Sequence, residues 1–117
     1  MASKVFQLWI QLVDWHDGDS FHAVLDQGCF VYRGRLDKPI MFRCALINTP
    51  ELKIDGVDNP AGYAALDYAR SIVPVGEYAC LSTGLDEFGR PLLDLLTERG
   101  RFSDAMLGSG HAIPYKR

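Results

Sequence analysis

The run Val5-Phe6-Gln7-Leu8-Trp9-Ile10-Gln11-Leu12-Val13 alternates, and His16-Asp17-Gly18-Asp19-Ser20 follows it with the residues of a turn. Phe6, Leu8, Ile10 and Leu12 share one face, while Gln7 and Gln11 take the other, which is the two-residue period of a half-buried strand. Residues 20–25 resume as a second strand after the turn signal at His16-Asp17-Gly18-Asp19. Working backward, Met1-Ala2-Ser3-Lys4 carries one lysine, glutamines interrupt the apolar residues beyond it, and no small-residue cleavage site follows. The start therefore reads as a strand and not as a signal peptide.

Working forward, Asp26-Gln27-Gly28 turns the chain into a third strand over residues 29–35, and Asp37-Lys38-Pro39 ends it. Residues 40–47 make a fourth strand, apolar apart from Arg43. Residues 49–59 are irregular. Asn59 suits a helix N-cap and Pro60 the first helical position, and alanines with Leu66, Tyr68 and Ile72 then recur at helical spacing until Pro74 and Gly76. Residues 77–82 form a fifth strand and residues 91–97 another extended piece. Ser103 caps a short last helix through Leu107, ended by Gly108 or Gly110. Short strands with glycine-rich turns predict a mainly β fold: a five-stranded Greek-key barrel of the OB type, with one main helix and a short C-terminal helix. Residues 1–117 are expected to form a single domain, since 117 residues, 48% of them hydrophobic, suffice for one core.

No stretch approaches the roughly 20 consecutive apolar residues of a membrane span. Cys29, Cys44 and Cys80 are odd in number and widely spaced. They fit neither a disulfide framework nor a zinc ribbon, and a reducing cytoplasm is the expected location. A net charge of -3 opposes sequence-independent binding of nucleic acid, which ordinarily uses a basic face. Any such affinity must come from a local cluster and a metal.

Two clusters carry chemistry, each where a strand gives way to a loop. One is Asp17-Gly18-Asp19-Ser20; the other is Arg43 with Asn48-Thr49-Pro50-Glu51. Hard divalent cations want oxygen ligands, which Asp19 and Asn48 supply through side chains and Thr49, held extended before Pro50, through its carbonyl. Glu51 is close enough in sequence to act on a metal-held water. Arg43 grips a phosphate through two nitrogens. Each element alone has a plainer reading: Asp-Gly-Asp-Ser as a turn, Thr-Pro-Glu as a loop, Arg43 as a snorkelling strand residue, Asp86-Glu87-Phe88-Gly89-Arg90 as a hairpin turn.

Taken in order, Asp17-Gly18-Asp19-Ser20, then Phe42-Arg43-Cys44-Ala45-Leu46-Ile47-Asn48-Thr49-Pro50-Glu51, then Asp86-Glu87-Phe88-Gly89-Arg90 resembles the staphylococcal nuclease (thermonuclease) family. The resemblance spans residues 5–115. It implies a calcium-dependent nuclease that hydrolyses DNA or RNA, preferably single-stranded, by P–O5′ cleavage that leaves 3′-phosphates. Asp19, Asn48 and the Thr49 carbonyl would hold the calcium ion, and Asp17 would lie behind them. Glu51 would be the general base or would orient the water. Arg43 and Arg90 would bind the phosphate and stabilise the phosphorane, with Arg90 nearest the leaving oxygen. Phe88 and Tyr115 would contact the substrate.

The pattern departs from the family in places. Asn48 replaces a carboxylate, which predicts weaker metal binding. Glu87 stands where the family often has lysine, and Phe88 where it has tyrosine. The family's C-terminal helix is missing after Lys116-Arg117, so a partner copy of the chain is expected to complete the packing. The competing expectation is a catalytically weak or inactive module of the same family that only binds nucleic acid or protein. A third, a purely structural barrel, leaves Arg43, Glu51 and Arg90 unexplained.

Overall fold

Ile10, Leu12 and Trp15 are buried along β1 (Phe6–Asp17), while Gln7, Trp9 and Gln11 face outward. That alternation seats the strand on the core. The computed structural model describes residues 5–82 and 84–115; the leader reading at residues 1–4 and the chain end at Lys116-Arg117 lie outside the described residues. The chain is mainly β. β1 runs beyond residue 13, through two register irregularities, before it turns at Gly18-Asp19 into β2 (Ser20–Asp26). A two-residue connection keeps β1 and β2 directly paired.

β2 carries two further partners: β3 (Tyr32–Arg33) at its far end and β4 (Ile40–Arg43) beside the turn. On its other side β1 pairs with β8 (Gly76–Ser82), β8 with β9 (Asp94–Thr97), and β9 with β10 (Gly100–Arg101). Every pairing is antiparallel, and the sheet is not closed: its path ends at β10 and at β3. One parallel bridge, Cys44 to Leu93, joins the end of β4 to the start of β9. Two hydrogen bonds hold it, Ala45 N to the Leu93 carbonyl at 2.8 Å and Leu93 N to the Arg43 carbonyl at 3.1 Å.

The fourth strand expected over residues 40–47 breaks after Arg43. Leu46 adopts φ 71°, a left-handed conformation that ends regular pairing. Its carbonyl accepts the Tyr115 amide at 2.9 Å. The chain then re-enters extended geometry as β5 (Ile47–Asn48), which pairs with β11 (Ile113–Pro114). The expected strand over residues 29–35 shrinks to β3 because Cys29 and Phe30 have φ of 52° and 64° and form the turn. The irregular segment holds a small hairpin, β6 (Lys53–Ile54) with β7 (Val57–Asp58), exposed at all four residues.

α1 (Pro60–Ile72) starts at Asn59 and Pro60 and buries Gly62, Ala65, Leu66 and Ala69. Its C-terminal end is tied to β1 where the Trp15 indole donates to the Val73 carbonyl at 2.9 Å. α2 (Phe102–Gly108) begins one residue before the expected cap. Ser103 instead sends its hydroxyl to the buried Asp94 carboxylate at 2.7 Å, which also accepts the Ser103 amide and the Arg101 Nε. That network satisfies a carboxylate that burial would otherwise make costly. Phe21, Phe42 and Phe102 are the largest fully buried side chains, packed with Leu12, Leu25 and Leu93 in one core. No helix among the described residues is long and apolar enough to cross a membrane.

Candidate functional site

The Asp17–Ser20 turn sits where β1, β2 and α1 meet, and Gly18 is the reason it can. A Cβ on Gly18 would lie 2.9 Å from Ala65 Cβ and 3.0 Å from Thr49 Cγ2. Bare backbone is required for the turn to press on the helix and on the strand that delivers Thr49. Within the turn, Asp17 Oδ1 accepts the Asp19 amide at 3.1 Å and the Ser20 hydroxyl at 2.5 Å. Asp19 is buried, and its Oδ2 accepts the Thr49 amide at 3.1 Å and lies 3.6 Å from Arg43 Nη2.

The Asp17 and Asp19 carboxyl groups are close enough to act on one another's protonation. Burial first, and then the Asp17 hydrogen bond and charge, push Asp19 up to about 6, against the Thr49 amide and Arg43. Burial alone would also raise Asp17. The bonds from Asp19 and Ser20 outweigh it and hold Asp17 below the ordinary value. Cys44, fully buried behind this pair, is held well above the usual thiol range by burial and by Asp19, so it is no nucleophile at neutral pH.

Ser20 pairs with Arg43 across β2 and β4, which brings that guanidinium over the carboxylates. Opposite stands the 86–90 turn. Asp86 Oδ1 accepts the Phe88 amide at 2.8 Å and the Arg90 amide at 2.9 Å, and Oδ2 accepts Arg90 Nε at 3.0 Å. Arg90 Nη1 donates to the Met41 carbonyl at 2.9 Å, and its guanidinium carbon lies 5.1 Å from the Phe88 ring centroid. Arg33 Nη1 reaches the Gly89 carbonyl at 3.2 Å, tying the turn to β3.

Between these walls lies an open cleft of about 730 Å³, lined among others by Asp17, Arg43, Asn48, Phe88, Arg90 and Tyr115. Two arginines face three carboxylates there, from Asp17, Asp86 and Glu87. Arg43 Nε is buried with no hydrogen-bond partner.

Neither a family model nor a curated protein matches the chain.

Of the residues expected from sequence, Arg43, Asn48, Phe88, Arg90 and Tyr115 line this cleft, and Asp19 lies buried beside it through Arg43. Thr49 is buried, its hydroxyl unpartnered, and lines a smaller neighbouring recess of about 200 Å³ with Asn48 and His111. Glu51 does not line the cleft. Its carbonyl accepts the Asn59 side-chain amide at 2.9 Å, and it lies so close over Gly62 that a Cβ there would collide with it. The Glu51 carboxylate has no ion pair among the described residues. Asp86, His16 and Met41 had no assigned role in the site; Asp86 was legible as a turn and motif residue, but its grip on Arg90 depends on how the turn closes.

Among the described residues, no three His, Cys, Asp or Glu side chains gather as a metal cluster. Beside the cleft stand the oxygen donors of Asp17, Asp19 and Asn48, with the His16 imidazole on the same wall. Two neighbouring carboxylates are chemically suited to a hard divalent cation, which would relieve their repulsion.

Proposed function

We propose that the chain is a divalent-metal-dependent nuclease of the staphylococcal nuclease type, cleaving phosphodiester bonds of DNA or RNA. The observation that carries this reading is the convergence of Arg43 and Arg90 on one cleft beside the Asp17–Asp19 pair. Two guanidiniums at fixed positions can take the non-bridging oxygens of one phosphate and stabilise the added charge of a five-coordinate transition state. The proposed architecture is an OB barrel: β1, β2, β4, β8 and β9 are its five strands, and the Cys44–Leu93 bridge is its seam.

Asp19, with Asn48 and the Thr49 carbonyl, would hold the metal, and Asp17 would support them from behind. Bound there, calcium would polarise the phosphate and offset the cleft's excess of carboxylates. Arg43 and Arg90 bind and orient the phosphate. Phe88 and Tyr115 offer faces for the flanking bases, which suits single strands. Water adds to phosphorus as the P–O5′ bond breaks, a 3′-phosphate remains, and the departing 5′ oxygen takes a proton from solvent to become a hydroxyl. Glu51 is the group in this reading that takes the water's proton; it is exposed and has no ion pair among the described residues.

A second reading, a binding module without catalysis, is favoured by one observation: Glu51 stands outside the cleft lining. The test is incubation with a labelled single-stranded oligonucleotide, with calcium in one tube and EDTA in the other. Cleavage confined to the calcium tube is expected. Retention of the oligonucleotide without cleavage, across several divalent metals, would establish the binding module. Equal cleavage in both tubes would overturn the metal-dependent mechanism.

A further inference from the structure

Away from the cleft, the outer face of the sheet carries a second recess of about 310 Å³. Strand register builds it. Trp9 on β1 stands opposite Asp26 on β2, and Asp26 stands opposite Tyr32 on β3. Directly opposed residues of antiparallel strands point to the same side, so the three side chains form one row with a carboxylate between two aromatic rings. The next row on that face is Glu77, Gln11 and Val24, again in direct register. Trp9 and Tyr32 are 52% and 56% exposed, although both are large aromatics.

The spacing is what gives the arrangement a ligand. Strands lie about 4.8 Å apart, so β1 and β3 are roughly 10 Å apart with β2 between them. Rings rising from the two outer strands leave a slot for one flat group, and the Asp26 carboxylate forms its floor. One Asp26 oxygen caps the Gly28 amide at 2.8 Å; the other has no side-chain or capping partner among the described residues. Neither Asp26 nor Glu77 has an ion-pair partner among the described residues. Aromatic faces attract cations, and a carboxylate within reach of the same slot adds charge and a hydrogen-bond acceptor. The same two carboxylates repel phosphate, which disfavours nucleic acid on this face.

We propose that the Trp9–Asp26–Tyr32 recess binds the guanidinium of an arginine side chain presented by a polypeptide partner. The planar fork stacks between the rings and donates to Asp26, with Glu77 attracting it from the rim. This site is independent of the nuclease reading, because no residue of it lines the cleft.

Trp9 reports on the recess directly, since the other tryptophan, Trp15, is buried. Titrate the full chain with N-acetyl-arginine amide and follow tryptophan fluorescence, with choline and a short oligothymidylate as parallel probes. Saturable quenching by the arginine compound is expected, with choline several-fold weaker because it lacks N–H donors. Asp26→Asn keeps the Gly28 cap through its amide oxygen and should weaken binding about tenfold; Glu77→Gln should weaken it about threefold and lessen the salt sensitivity. Circular dichroism matching the parent confirms that both variants are folded. No saturable quenching, unchanged affinity in both variants, choline binding as tightly as arginine, or preferential quenching by the oligonucleotide would each overturn the proposal.

Discussion

Asp86 holds Arg90 by two kinds of contact at once: one oxygen takes the Arg90 Nε at 3.0 Å while the other caps the Arg90 backbone amide at 2.9 Å. With Nη1 on the Met41 carbonyl, the guanidinium is fixed on one side and open on the side facing the cleft. Burial would raise the Asp86 carboxyl, but the amides of Arg90 and Phe88 and the Arg90 charge outweigh it and hold it below the ordinary range.

Asp86→Asn should therefore uncouple position from fold. The amide oxygen still caps the turn, but the charged grip on Nε is lost and the guanidinium is held only through Nη1 on the Met41 carbonyl. On the proposed nuclease function, cleavage kcat is expected to fall about tenfold or more with KM changed little, since a misplaced charge-stabilising group acts mainly on the transition state. Steady-state kinetics on a defined oligonucleotide, with a thermal melt as the control for folding, checks this.

Asp19 sets a pH dependence of stability. Its native value of about 6 exceeds the ordinary 3.8, so between those values the native state holds more of the proton than the unfolded chain does. Stability from this group is present in acid and is lost as pH rises through about 6. In metal-free protein, Asp19→Asn should be more stable than the parent at pH 7.5, by on the order of 2 kcal/mol. The gain should vanish near pH 4. Urea denaturation of both proteins at the two pH values measures it.

Asn48→Asp adds a carboxylate beside the Asp17–Asp19 pair. Without metal it should lower stability at neutral pH through like-charge crowding. With calcium it should tighten binding about tenfold, because ligand charge count governs affinity at oxygen sites. Calorimetric titration with calcium decides; an unchanged affinity would remove Asn48 from the ligand set.

Gly62→Ala should destabilise the chain even though alanine favours helix by roughly 1 kcal/mol over glycine. The added methyl collides with the Glu51 carbonyl, so α1 and the loop must separate, and a net loss of about 2 kcal/mol is expected. Chemical denaturation gives the value, and cleavage kinetics show whether moving Glu51 affects turnover.

The β1–β2 hairpin was legible because half-burial writes a two-residue period into the sequence, and α1 because Asn59-Pro60 marks its start. The hairpin at residues 53–58 left no trace, since all four of its strand residues are exposed and no alternation is imposed. Ser103 suggested a cap by residue type, yet its partner is Asp94, nine positions away and brought close only by folding. The break at Leu46 was also hidden, because leucine at positive φ is a tertiary demand that no local preference signals. In the site, strand-end positions such as Arg43 and Asn48 could be placed from sequence, whereas the distance of Glu51 from the cleft depends on the Gly62 contact.

The Cys44–Leu93 contact also has a dynamic consequence. It is a seam of two hydrogen bonds between otherwise long ladders, and one of them ends on the Arg43 carbonyl. Such a short seam is a low-cost place for the sheet to part, and parting it would shift the Arg43 guanidinium at the cleft wall. The amides of Ala45 and Leu93 thus serve as a built-in gauge: their exchange with deuterated solvent reads how often that arginine leaves its post.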